Sequence, residues 1–253
     1  MLKRRELAGI GLLLLTSALS AAADPKGDAI IKEAFRKLNT AQVMTAKFTQ
    51  TTSLAGGEGN KVVATGTVAV MKPNLLKVRI LATLPNKSKD ERVYASNGKD
   101  YISFGSFRNE YRKDTVAPKP TEFMGEWEGE IDSFFGGLVT AGLGDADWKG
   151  TEKVGNVVCD IIRFKMRPRK NAPERVLNYS VGQADHLIYK ASFTFPSESG
   201  RDLIQVNLLS NIDLKAKLTP KDFEYAPPSG AKEVKPPRNR EVIQAPKKGN
   251  WRA

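Results

Sequence analysis

The chain has 253 residues, 40% hydrophobic and 27% charged, with 40 Lys and Arg against 28 Asp and Glu. That balance belongs to a globular protein: it is too apolar for wholesale disorder and too polar for a polytopic membrane protein. One Cys and one His exclude an intrachain disulfide, a CxxC redox pair and zinc sites built from several such ligands, and leave His186 as the base of any Ser-His-Asp or Cys-His catalyst.

The N-terminus reads as an export signal. Lys3, Arg4 and Arg5 form a positive start, Ala8 to Ser20 is apolar and uncharged, and Ala21-Ala22-Ala23 supplies an A-x-A cleavage site. The apolar run is short for a membrane span, which needs about 20 residues. Cleavage after Ala23 is expected, giving residues 24–231 as one domain and 232–253 as a tail. Removing Lys3, Arg4, Arg5 and Glu6 lowers the net charge from +12 to +10. The tail holds seven Lys and Arg against Glu233 and Glu241 in a Pro-containing, apolar-poor stretch. It is expected to be solvated and disordered, with an attraction for anionic membrane surfaces. Nucleic acid is not expected as a partner of an exported chain. A soluble periplasmic protein is.

Asp28 to Leu38 predicts an amphipathic helix: Ile30, Ile31, Ala34, Phe35 and Leu38 fall on one face, and Asp28 is the candidate N-cap. After Val43 the period changes to two. Met44 to Thr52, Lys61 to Met71 and Leu75 to Leu81 read as strands, with a Gly-rich turn at residues 56–59. Glu91 to Ala95 and Asp100 to Phe104 flank Asn97-Gly98, a strong hairpin signal. Five strands in sequence with short turns predict an antiparallel meander. Ile131 to Leu143 is apolar and reads either as a short helix pair or as a movable flap hinged at Gly136 and Gly137. Its Phe134, Phe135, Leu138, Val139 and Leu143 either cover a cavity or pack in an ordinary core. Strand character returns at Val157 to Met166, Val176 to Val181, Leu187 to Phe195 and Leu203 to Leu209, and a last compact piece runs from Phe223 to Val234.

The chemistry-bearing residues do not assemble into a catalyst. The Gly-rich turn lacks the Lys-Ser or Lys-Thr of a phosphate loop. Glu122, Glu126, Glu128, Glu130 and Asp132 read as a solvated acidic run, His186 as an inert turn residue, and Cys159 as a small buried apolar side chain. No enzyme activity, cofactor or metal is expected.

Several stretches, in order, resemble the periplasmic lipoprotein-carrier (LolA-like) superfamily, in an uncharacterised branch rather than the carrier itself. Phe48-Thr49-Gln50 resembles its F-x-Q strand, Gly66 to Leu76 its hairpin with a Pro-Asn turn, Ala95 to Tyr101 its Asn-Gly-type turn, and Leu218 to Val234 its closing Pro-Pro-x-Gly strand. The resemblance implies a mainly β fold: a curved antiparallel sheet, or half-open barrel, closed by an N-terminal helix and an apolar lid. It implies a non-enzymatic carrier whose partners are a lipid or an acylated protein. The cavity would be lined by Phe48, Leu76, Val78, Ile80 and Phe104, under a lid containing Phe134, Phe135, Leu138, Val139 and Leu143. The family latches its lid with an Arg before the hairpin Pro; Lys72 occupies that position here and lacks the planar fork. The alternative is an envelope interaction or signalling module that binds protein with the same fold.

Overall fold

The computed structural model describes residues 24–55, 61–84, 87–115, 144–166, 175–195 and 201–235. The signal segment, the Gly-rich turn, the acidic run, the expected lid and the tail beyond Lys235 lie outside the described residues.

The chain begins with helix α1 (Pro25–Thr40). Pro25 fits the first helical position, where no N–H is needed, and the Asp24 side chain caps the helix by accepting from the Lys26 amide at 3.0 Å. Asp28, the cap expected from sequence, lies one turn further in and pairs with Lys32. The helix starts earlier because Asp-Pro supplies both a cap and a pre-set φ.

Twelve strands follow in chain order: β1 (Val43–Leu54), β2 (Val62–Met71), β3 (Leu75–Thr83), β4 (Lys89–Asn97), β5 (Asp100–Gly105), β6 (Glu110–Thr115), β7 (Gly144–Val154), β8 (Val157–Met166), β9 (Arg175–Gly182), β10 (Ile188–Phe195), β11 (Leu203–Asp213) and β12 (Lys232–Glu233). They form one open sheet in the order β12-β6-β5-β4-β3-β2-β1-β11-β10-β9-β8-β7. Every pairing is antiparallel except the short β12–β6 pair. The expected meander is present and extends further than its sequence signals. A twisted sheet this wide curls, and its inner face gathers into one continuous core.

Side chains at directly opposed positions share a face. Met44, Ala46 and Phe48 stand opposite Val70, Val68 and Gly66, which in turn stand opposite Leu76, Val78 and Ile80. On the other side of β1, the same face continues through Leu209, Ala191, Phe193, Tyr179, Leu177, Ile162 and Phe164. Helix α1 lies over the β7–β9 end and presses Ile31, Ala34 and Leu38 into this core. Phe35 meets Tyr179 edge-on at 6.5 Å between centroids.

The helix is fixed at both ends. Asp24 Oδ2 accepts from the Trp148 amide at 2.9 Å and Lys26 Nζ sits 3.4 Å above the Trp148 ring. Lys37 Nζ donates to the Asp185 carbonyl at 2.7 Å. Gly27 lets the first turn touch β7 directly: a Cβ there would come within 2.4 Å of the Ala146 carbonyl oxygen and 2.8 Å of the Trp148 nitrogen.

The outer face is covered at the β3–β6 end by the C-terminal segment. A single 3-10 turn (Pro220–Phe223), closed by reciprocal Thr219 and Asp222 bonds, drives Phe223 into complete burial. Lys77 Nζ donates to the Asp222 and Glu224 carbonyls at 3.1 and 2.9 Å. The chain is held past residue 231: the Lys232 amide donates to Asn109 O, and β12 pairs with Glu110–Tyr111.

Gly27→Ala sets a helix-propensity gain of about 1 kcal/mol against overpacking of backbone on backbone, which costs about 1–3 kcal/mol. Overpacking wins, so thermal unfolding should show Gly27→Ala less stable than the parent, opposite in sign to an ordinary helix Gly→Ala. Asp24 gives a pH signature. The Trp148 amide, followed by the Lys26 and Gly27 amides, holds its carboxyl below the ordinary value. A depressed folded-state value means the contribution is complete above the unfolded value near 3.9 and is lost as pH falls through the folded one. Asp24→Asn should flatten the acid limb of the stability curve below about pH 4, read by urea unfolding across that range.

Candidate functional site

Four of the five expected cavity residues share the inner face. Phe48, Leu76 and Val78 are buried there, and Ile80 is half-buried against the same cluster. Gly66 makes room for Phe48: a Cβ at Gly66 would lie 2.4 Å from the Phe48 ring and 2.0 Å from the Arg79 carbonyl oxygen. Phe104 is a correction. It stands opposite Val93, not Tyr94, and so faces outward, packed with Val93, Ala95 and Tyr225 beneath the C-terminal segment. The five do not line one cavity; Phe104 anchors the outer cover.

The inner face is not uniformly sealed. Under α1 and across β1–β3 the side chains are closely buried, with Leu76 and Val78 at 0% exposure. Towards β4 and β5 the same face becomes half-buried. Tyr94 stands opposite Val78, Tyr101 opposite Ser96, and both, like Ile80, pack against the core cluster. This Ile80–Tyr94–Tyr101 strip is partly open and continuous with the core, and Arg92, opposite Ile80 on the same face, reaches the Tyr94 hydroxyl at its border. It is the candidate site.

The two tyrosines are hard to assign to the inner face from sequence because their same-face neighbours, Arg92, Ser96 and Ser103, are polar. Period-two alternation across the Asn97-Gly98 turn was the signal available. Sequence reasoning passed over a polar patch on the same floor, where Gln50 faces Asn207 across the β1–β11 ladder and Ala64 across β1–β2. Asn207 is fully buried. Gln50 belongs to the Phe48-Thr49-Gln50 string, so the resemblance carried half of this pair.

Lys72, the expected latch position, bonds to the end of α1. Its Nζ donates to the Asn39 carbonyl in the last turn of α1, and its amide donates to the Gln42 carbonyl at 2.9 Å. A cation on the final carbonyls suits the helix dipole. These bonds join α1 to the β2–β3 hairpin. Beside it, Asn74 Nδ2 donates to the Gly98 carbonyl at 3.0 Å and Ser96 Oγ to the Asn74 carbonyl at 2.8 Å, tying that hairpin to the Asn-Gly turn, where Gly98 has φ +89°. Phe134, Phe135, Leu138, Val139 and Leu143 lie outside the described residues.

The residues weighed for catalysis are held in structural roles. His186, at φ +55°, sits half-buried in the turn between β9 and β10; its Nδ1 is buried without a hydrogen-bond partner, and it bonds no described Ser or Cys. It is more enclosed than the exposed turn residue its sequence setting implies, because Lys37 of α1 clasps the neighbouring carbonyl. Nearby on the outer face, Ser180 Oγ donates to Glu152, which also takes Lys190 Nζ at 2.9 and 3.1 Å. Burial works to raise the Glu152 carboxyl, but the Ser180 and Lys190 bonds hold it below the usual range. Tyr189 Oη donates to Asp185 Oδ2 at 2.6 Å, and burial, with that bond, pushes the phenol up to about 12. Cys159 is fully buried, as expected, and burial followed by the Glu152 charge pushes its thiol up to about 11. Among the described residues no group of three or more His, Cys, Asp or Glu is placed to hold a metal ion, and no helix is long and apolar enough to cross a membrane.

No family model matches the chain, and no curated protein matches it. Its neighbours among solved structures include a lipoprotein and a LolA superfamily protein. The lipoprotein LppX of Mycobacterium tuberculosis is 14% identical over 78% of this chain and 100% of its own, with a TM-score of 0.45. A LolA superfamily protein from Nitrosomonas europaea is 14% identical over 79% of this chain and 97% of its own, with a TM-score of 0.32. The MucA/MucB complex of Pseudomonas aeruginosa matches at 11% identity over 79% of this chain and 61% of the matched chain, with a TM-score of 0.43. At this level of similarity none of the three carries a function to this chain.

The Cys159 environment predicts an inert thiol. In the native protein at pH 8 it should react with an aromatic disulfide reagent at least 100-fold more slowly than in denaturant, because reaction needs the thiolate and access. The rate of thiolate-dependent absorbance change checks this.

Proposed function

We propose that the chain is a non-enzymatic carrier of the bacterial periplasm that shelters an acyl chain of a lipid or lipoprotein on the inner face of its sheet. The half-buried strip of Ile80, Tyr94 and Tyr101 carries this reading: it extends a packed apolar floor past the part that α1 covers. The ordered sequence resemblances and the export-type leader support it. Gln50 and Asn207 set amide groups in that floor, suited to the ester or amide linkage at the head of an acyl chain. In this reading the apolar residues 133–143 supply the movable cover; they belong to the stretch joining β6, beside one edge of the sheet, to β7 at the other.

The energetics define what such a site must do. Burying a methylene is worth ~0.8 kcal/mol, so a 16-carbon chain gains roughly 12 kcal/mol on leaving water. It gains almost nothing on leaving a bilayer, which is already apolar. Loading therefore depends on close packing and on a cover that excludes water, and unloading depends on a partner or membrane that opens it. Leu76 and Val78 are sealed into the core, so a carboxylate there unfolds the sheet rather than reporting on cargo.

The informative positions are the half-buried ones. Organic extraction of the purified protein, followed by mass spectrometry, should find stoichiometric acyl lipid. Ile80→Asp and Tyr94→Asp should lose most of it while remaining folded, and Leu208→Asp, on the outer face, should retain it. Lipid-free native protein, or full retention by both inner-face variants, would overturn the carrier reading and favour protein binding instead.

A further inference from the structure

The turn between β5 and β6 carries Phe107 at its tip, 74% exposed, the most exposed large apolar side chain among the described residues. The tip is rigidly built. The Phe107 amide and Ser106 Oγ both donate to Asp90 Oδ1, at 3.2 and 3.3 Å, and the Ser106 amide donates to the Glu91 carbonyl at 2.8 Å. Asp90 is 2% exposed, and its other oxygen takes Arg92 Nε at 2.9 Å. A buried carboxylate thus fixes the backbone that holds a phenyl ring out in water.

The surroundings are basic. Arg108 follows Phe107; Lys87 and Lys89 precede Asp90; Lys232 donates its amide to the Asn109 carbonyl, and Lys235 lies three residues on. All are exposed, and none has an ion-pair partner among the described residues. The acids close by are Glu91, paired with Arg79, Glu233, which accepts from Tyr111 Oη, and half-buried Glu110. Leu81, 39% exposed, stands opposite Glu91 and adds a second apolar point at the same end of the sheet. The basic tail leaves the fold from this edge through β12: residues 236–253 hold Arg238, Arg240, Lys247, Lys248 and Arg252 against Glu241 alone.

We propose that the Phe107 tip and the cations around it dock the protein onto an anionic lipid bilayer, with the ring in the interfacial layer and Arg108, Lys87 and Lys89 at the depth of the phosphates. Isolated apolar points set among unpaired cations match a lipid interface, where each acts separately. A protein interface instead centres on a contiguous, desolvated apolar patch. The docking surface stands independently of what the sheet carries.

The test uses the full chain with vesicles of phosphatidylcholine alone or mixed with phosphatidylglycerol. Sedimentation should show binding to the mixed vesicles only, weakening with added salt. Phe107→Ser should lower that affinity roughly tenfold with an unchanged melting temperature, since the ring is exposed. The triple change Lys87→Glu, Lys89→Glu, Arg108→Glu should lower it roughly 100-fold or more. Phe107→Trp should bind like the parent and shift its emission to the blue on the mixed vesicles. Equal binding to both vesicle types, wild-type affinity in Phe107→Ser or in the charge variant, or an unshifted tryptophan in the bound protein would each overturn the proposal, as would capture by an acidic protein with no vesicle binding. Lipid-extracted protein should dock equally well, which separates this outcome from the fate of the carrier reading.

Discussion

The structure depends on strand parity being kept across a very wide sheet. From β1 through β6 the ladders run without a register shift, so one alternation decides the side on which every residue falls. A slip of one residue at any step would exchange the two faces beyond it, sending Tyr94 and Tyr101 outward and Val93 and Phe104 inward. The devices that prevent this are local: the Asn97-Gly98 turn, the Asn74 and Ser96 bonds that tie two hairpins together, and Gly66, whose bare backbone admits the Phe48 ring.

The register shifts that do occur cluster where α1 is held. One lies between Trp148 and Thr151, beside the amide that Asp24 accepts; one between Ile188 and Lys190, beyond the carbonyl that Lys37 grips; and one between Thr45 and Lys47, just after the link that follows the helix. Bulges sharpen local twist and bend a strand, which suits a sheet that must curl round a helix. The same placement accounts for the partial cover. The helix packs on the β7–β9 end and meets the β2–β3 hairpin at its last turn through Lys72, and the inner face becomes less covered at Ile80, Tyr94 and Tyr101, further along the sheet.

Much of this was legible in the sequence. The helix, the first five strands and the four central strands of the second half stand out by period. What was missed has physical reasons. β6 (EYRKDT) and β7 (GDADWKGTEKV) give no clear strand signal because they lie at the margins of the sheet, where charge protects an open edge from pairing with other chains. The helix cap was put at Asp28 because the apolar period begins nearby, although Asp24-Pro25 is the stronger start signal. Phe104 joins the expected cavity as an apolar residue of a strand adjoining the β2–β3 hairpin. Counting across the hairpin forbids it, since a two-residue loop sets each even-numbered residue of β5 opposite an odd-numbered residue of β4, while Val78 stands opposite even-numbered Tyr94.

The two faces of the sheet end up differently covered, and the C-terminal segment accounts for that division. Without it, Val93, Ala95 and Phe104 would be an exposed apolar strip on the outer face, competing with the inner face for any greasy ligand. Phe223, Tyr225 and Ala231 cover them, held down by Lys77 on two carbonyls and by the β12 pairing. Covering the outer face leaves Ile80, Tyr94 and Tyr101 of the inner face half-buried among the described residues on this half of the sheet. The same strand pairing roots the basic tail beside the β5–β6 turn. One segment therefore covers the outer face of this half of the sheet and roots the basic tail at one edge of it.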